Sequence, residues 1–296
     1  MTGAELRAAG FVPLALADRE RFAAWFRDNQ ILDLGFFTLR AYFSEIWIRE
    51  SPDLFEVAAA DEGGLFPLFP RQRRRDPDAL RAALFKLDRL WTASGQDLQM
   101  SFLTAEQLAF LEQTFEGRTF FSGCDERFSD TLCAREDFFR LSWKNKQKYS
   151  DYLRFYREQT PVWEEVGPAR ADDCRRVMEG WCARRDCREC LFGCEKKVLE
   201  RSLSDGMPGL LCFLEGRPAA LIFGELSGDT LFFPFAKADP VTGLTVALYL
   251  EFAGRFPAKF INIGSDGGLE GLKQFKSKFR PFVKLNKYDF TLCPAR

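Results

Sequence analysis

Apolar and polar positions alternate along this chain with a period that switches between two and three to four, which marks short strands and helices in succession. Between Asp18 and Gln30, Phe22, Trp25 and Phe26 recur on one side among charges, the spacing of an amphipathic helix. Residues 34–48 are aromatic-rich and fit strand or helix equally well. Apolar runs at 54–57 and 65–69, separated by Asp61-Glu62-Gly63-Gly64, predict a hairpin; Pro67 and Pro70 put its second strand at an edge or end it early. Asp76-Pro77-Asp78 opens a helix with Leu80, Leu84, Leu87 and Leu90 on the buried side. Residues 98–103 then read as a strand, and Thr104-Ala105-Glu106-Gln107 as the capping box of a helix through Leu108, Leu111 and Phe115.

A loop-rich stretch at 117–137 separates this half from the next. Residues 138–158 have helical apolar spacing, 161–166 read as a strand, and 172–183 and 195–204 as helices. Three apolar runs at 210–214, 219–226 and 231–236, joined by Glu215-Gly216-Arg217 and Ser227-Gly228-Asp229, predict a meander of central strands. A helix at 244–256, a strand at 259–263, a further helix and a closing strand at 284–292 complete the pattern.

The segment 262–282 joins that strand to the last helix through Gly264-Ser265-Asp266-Gly267-Gly268. Leu269, Leu272, Phe275 and Phe279 recur at helical spacing, and Lys273, Lys276 and Arg280 form a second, basic stripe. A glycine turn opening a helix can hold an anion on free amides; alternatively Asp266 caps the helix, accepting from amides two or three residues on.

Composition narrows the chemistry. With 296 residues, 46% of them apolar and 32 of them Phe, the chain buries a large interior, enough for two domains of ordinary size or one large one. Its 42 basic and 43 acidic side chains leave a net charge of −1, unlike a protein that coats nucleic acid. Neither a secretion signal nor an apolar run of membrane-spanning length is present, so a soluble cytoplasmic protein is expected. The absence of histidine excludes Ser-His-Asp and Cys-His nucleophile activation and imidazole-based zinc catalysis. The chemistry falls to carboxylates, Lys, Cys, Tyr, the backbone or groups of the bound substrate.

Two basic clusters and one cysteine cluster remain. Arg71, Arg73, Arg74 and Arg75 could meet phosphate or form a solvated loop. Residues 138–158 interleave Lys144, Lys146, Lys148, Arg154 and Arg157 with Trp143, Tyr149, Tyr152 and Tyr156, a pattern that suits a nucleic-acid backbone and its bases, or a core face backed by a solvated one. Cys182, Cys187, Cys190 and Cys194, a C-x4-C-x2-C-x3-C run, could hold zinc or an iron–sulfur cluster, or could be ordinary reduced thiols.

The order meander, helix, strand, helix is the core order of GNAT-like acyltransferases, and the hairpin of the first half faintly echoes residues 210–221. Phe235-Ala236-Lys237-Ala238-Asp239-Pro240, the helix after Gly243, Ile261-Asn262 and Gly268-Leu269-Glu270-Gly271-Leu272-Lys273, with Lys276 and Phe279-Arg280-Pro281, resemble the phosphatidylglycerol lysyltransferase C-terminal domain family. The resemblance implies an α+β fold of two tandem GNAT-like domains, 1–135 and 136–296, each a mixed, mainly antiparallel sheet flanked by helices. It implies an aminoacyl- or acyltransferase that moves its group from a charged tRNA or similar donor to an amine or hydroxyl acceptor: a small molecule, a lipid head group or a peptide. The alternative is a non-catalytic binding protein of the same fold with a structural metal in the cysteine loop. Gly243 stands alone where an acetyl-CoA enzyme has a glycine-rich pyrophosphate loop, which disfavours acetyl-CoA. On this reading Asp266 or Glu225 serves as base, and Lys273, Lys276, Arg280 and Lys146 meet the anionic donor.

Overall fold

The computed structural model describes residues 1–61, 63–140, 146–184 and 195–293. The first half builds a five-stranded sheet from β1 (Val12–Pro13), β2 (Glu45–Glu50), β3 (Leu54–Asp61), β4 (Gly64–Pro67) and β5 (Arg71–Gln72), in the order β1-β2-β3-β4 with β5 on β3. The hairpin forms as expected, and β4 is an edge strand that ends at Pro67, although the Leu68 amide still donates to the Val57 carbonyl at 2.8 Å, so the missing N–H of Pro67 faces away from β3. The helix Pro77–Ala93 starts on Asp76, whose side chain accepts from the Asp78 and Ala79 amides. β6 (Leu98–Leu103) follows, and Thr104 and Gln107 form the reciprocal capping box of the helix Ala105–Thr114.

The stretch 117–137 is not the loop the sequence suggests. It contains β7 (Phe120–Cys124) and β8 (Asp130–Ala134), and the polar start of β8 conceals it because Asp130 and Thr131 are wholly buried. The remaining strands are β9 (Val162–Glu165), β10 (Gly209–Leu214), β11 (Arg217–Ser227), β12 (Thr230–Ala238), β13 (Phe260–Asn262), β14 (Val283–Leu285) and β15 (Tyr288–Leu292). A seven-stranded sheet runs β14-β8-β13-β12-β11-β10-β9, and a three-stranded sheet runs β6-β15-β7. The sheets therefore do not part at residue 135: β8 joins the large sheet of the second half, and β15 returns to the first. The closing strand expected at 284–292 breaks into β14 and β15, which serve different sheets. The single helix expected at 138–158 is likewise two helices, Arg135–Phe139 and Lys146–Glu158, because Arg140 leaves the first with an extended backbone.

Period-two patterning explains how the large sheet sits between two layers. Leu211, Phe213, Leu221 and Phe223 pack with Phe22, Phe26, Phe36 and Phe37 of the first half. Their neighbours Leu210, Cys212, Ala220 and Ile222 pack instead with the helix Leu244–Gly254. That helix is apolar on most of its circumference because it is buried on most of it, with Thr245 and Glu251 half-buried. The turn between β11 and β12 is clamped against the first half: Gly228 has φ +55°, and a Cβ there would lie 1.9 Å from the Arg27 carbonyl oxygen.

Candidate active site

The large sheet opens where its parallel joint ends. β13 pairs with β12 only at Thr230, Leu231 and Phe232, while β12 continues to Ala238, so the two strands diverge beyond Asn262. On the β12 side of the opening, the Pro234 carbonyl accepts from the Tyr42 hydroxyl at 2.8 Å. On the β13 side, the chain turns through Ile263, Gly264 and Ser265.

A buried polar network holds that turn. Asn262 is fully buried; its Oδ1 accepts from the Gly264 amide at 2.7 Å. Its Nδ2 donates to the Gln30 carbonyl at 2.7 Å and to Asp130 Oδ2 at 2.9 Å. Asp130 Oδ2 also accepts from the Leu32 amide at 2.7 Å, and its Oδ1 accepts from Lys287 Nζ at 3.0 Å. Lys287 donates as well to Asp33. Burial works against the charge on Lys287, but Asp33 and Asp130 outweigh it and hold the ammonium above the ordinary lysine range. Each member of the network is satisfied, which is what burying so many polar groups demands.

Lys276 enters the same turn from the other side. It is 5% exposed, and its amine donates to the carbonyls of Ile263 and Ser265. Burial pushes this lysine down to about 7; Asp130 and Asp266 pull it back, while Lys284 and Lys287 push it further. A second buried lysine, Lys148, donates to the Phe138 carbonyl and lies 5.0 Å from the Phe279 ring centroid; burial pushes it down to about 8. Both lysines act electrostatically on Cys133, which is fully buried and whose thiol burial pushes up to about 12, favouring its neutral form.

Of the residues expected at the site, Lys276 alone faces the turn from its helix. That helix is Glu270–Ser277, shorter than the spacing suggests, with Leu269 as an N-cap that makes no side-chain bond. Lys273 lies on its exposed side, and Arg280 falls beyond its end at φ +54°, so the basic stripe is split. Asp266 does not cap the helix. It accepts from the Gly268 amide at 3.1 Å inside the turn and from Lys284 at 2.6 Å. Against the effect of burial, these two partners hold its carboxylate below the usual range. Glu225 is 3% exposed and faces the first half, accepting from the Phe37 amide at 3.1 Å and the Thr38 amide and hydroxyl at 3.0 Å. Burial raises its pKa even so. Lys146 begins the helix Lys146–Glu158. Cys182 is half-buried near the end of the helix Ala171–Ala183, and Cys187, Cys190 and Cys194 lie outside the described residues. Among the described residues no three His, Cys, Asp or Glu side chains converge to hold a metal, and no helix is long and apolar enough to cross a membrane.

Sequence reasoning missed Asp130, Lys287, Asp33 and the part played by Asn262. One signal was present: Asn262 interrupts an apolar strand, where an unpartnered amide would be costly.

A seven-stranded mixed sheet with one splayed parallel joint is the architecture of the GNAT-like fold. FemX has this fold, with a TM-score of 0.64 at 9% identity over 94% of this chain and 96% of its own. The chain belongs to the family of the phosphatidylglycerol lysyltransferase C-terminal domain, whose model matches residues 27–290. A protein of unknown function from Bacteroides thetaiotaomicron superposes with a TM-score of 0.85 at 24% identity, over 96% of this chain and 99% of that one. L-PGS from Bacillus licheniformis gives 0.66 at 16% identity, over 93% and 91%. No curated protein matches the sequence.

Proposed function

We propose that the protein is an aminoacyltransferase of two tandem GNAT-like units that exchange β8 and β15, transferring an aminoacyl group from a charged tRNA to an amine or hydroxyl acceptor. Family membership supports the class of reaction, and the Lys276 amine carries the mechanism. Two of its hydrogen-bonding positions are spent on the Ile263 and Ser265 carbonyls. The remaining position is a lone pair when the amine is neutral, and a pKa near 7 keeps much of it neutral at working pH. Asp266 and Glu225 are less suited, since their oxygens are occupied by donors that hold a turn and a helix end.

In the transfer, the acceptor's nitrogen or oxygen attacks the aminoacyl ester carbon as Lys276 takes its proton. The ester C–O bond then breaks, and the Lys276 ammonium returns the proton to the departing ribose oxygen. No covalent enzyme intermediate is needed; placement of donor and acceptor supplies much of the acceleration.

A transfer assay with a panel of charged tRNAs and acyl-CoAs tests the proposal. The expected result is aminoacyl transfer from tRNA by the parent protein and loss of at least about 100-fold in Lys276→Met, a loss in the range of a missing general base, with circular dichroism unchanged. Failure to bind either donor at micromolar concentration would overturn it in favour of a non-catalytic binding protein.

A further inference from the structure

Nothing in the chemistry of Lys276 explains why its turn is tied so firmly to the first half of the chain. Four separate stretches meet there: residues 30–33, Asp130, 262–265 and Lys287. Asn262 is the residue that joins them to the turn, since its Nδ2 takes the Gln30 and Asp130 oxygens and its Oδ1 takes the Gly264 amide. The carbonyls on either side of Gly264 are the two that receive Lys276. Gly264 sits at φ +71°, and a Cβ built on it would lie 3.7 Å from Lys276 Nζ and 3.4 Å from Leu32 Cδ1. The turn therefore comes close to both the amine and the first-half segment.

We infer that Asn262 is a positioning residue, through which residues 30–33 of the first half fix the place of the Lys276 amine in the second. This rests on Lys276 being the base. Without Asn262, the Gly264 amide and the Asp130 carboxylate lose their shared partner, and the Ile263 and Ser265 carbonyls cease to converge. Lys276 is then free to reach water, where its charged form is favoured. Burial is the largest influence on its charge; the charged and titratable groups around it, Asp130, Asp266, Lys284, Lys287 and the Cys133 thiol, are all retained in the variant.

The test uses the full-length chain with 13Cε-labelled lysine, Lys276 being assigned by its loss in Lys276→Met. In Asn262→Ala the Lys276 titration midpoint should rise by at least about 1 unit, the scale of a modest loss of burial. The kcat for transfer should fall by about 10- to 100-fold, as for a group displaced by about an ångström, with the acid limb of the pH profile moving up alongside and KM for the donor little changed. Gly264→Ala, which has room for the methyl but strains the backbone, should move the midpoint in the same direction and serves if Asn262→Ala does not fold. An unmoved midpoint in the folded variant overturns the inference whether or not the protein is active. A shifted midpoint in a protein that transfers nothing upholds the positioning and removes the enzymatic reading instead.

Discussion

The Glu225 carboxylate accepts the backbone amide and the hydroxyl of Thr38, both at 3.0 Å, across 187 residues of chain. A strand residue of the second half thus caps a helix of the first, Phe36–Tyr42, whose own N-cap is Gly35 and supplies no side chain. The fit leaves no slack: a Cβ on Gly35 would lie 2.3 Å from Glu225 Oε1. Glu225→Ala strands two amides and a hydroxyl in the interior, and should cost about 1 to 3 kcal/mol, read as a fall in the urea midpoint. Glu225→Gln keeps an acceptor and should cost less. With Lys276 as the proposed base and Glu225 as a cap, kcat per folded molecule should stay within several-fold of the parent in both; a loss of two orders of magnitude in the folded Gln variant would return Glu225 to the chemistry.

Asp266 invites the same distinction. Its Oδ1 accepts from Gly268 and its Oδ2 from Lys284. Asp266→Asn can still accept from the amide and loses the charge pair. The turn should survive, with transfer falling by less than about 10-fold, since one general base accounts for 100-fold or more. If Asp266→Asn is inactive while Lys276→Met is not, the base has been assigned to the wrong residue.

What the sequence made legible was local. The capping box at Thr104, the proline-ended hairpin and the apolar meander each rest on residues a few positions apart, and each forms where it was expected. The site was legible only as far as Lys276, because helical spacing reports which residues share a stripe and not whether the helix lasts long enough to display them. Arg280 lies past the end of its helix for that reason. Asp130 and Lys287 were hidden because a buried polar residue looks like a loop residue until its partner is known. Their partners lie 132 and 157 positions away from Asp130, at Asn262 and Lys287. Strand exchange had the same effect on the division at 135: β8 and β15 are short, and nothing local says which sheet they complete.

Burying Lys276 should leave a mark on stability as well as on rate. Its folded pKa, about 7, lies below the 10.5 of an ordinary lysine, so between those values the unfolded chain binds more protons than the folded one. Stability therefore rises with pH across that window and is reduced below it, where the folded protein must bury the charge. Lys148, pushed down by burial to about 8, adds to the same slope between 8 and 10.5. Urea midpoints at pH 6.5, 8 and 9.5 should increase in the parent, and Lys276→Met should lose part of that increase. Parallel slopes in the two proteins would mean that Lys276 titrates as it does in water.

Lys287 offers the opposite case. It lies against Asp33 and Asp130, and replacing it by Met would leave two carboxylates facing each other without the cation that bridges them in a largely buried site. Breaking a buried pair from one side costs about 3 to 5 kcal/mol, and here the loss falls on the contact between residues 30–33 and β8. The penalty should shrink as pH falls toward 4, because protonating one carboxylate removes the repulsion; burial already raises the Asp33 pKa and assists this. Lys287→Met combined with Asp33→Asn should recover part of the stability at pH 7, since only one buried charge then remains. A double variant no more stable than Lys287→Met would show that Asp33 does not share the cation, leaving Asp130 as the partner that matters.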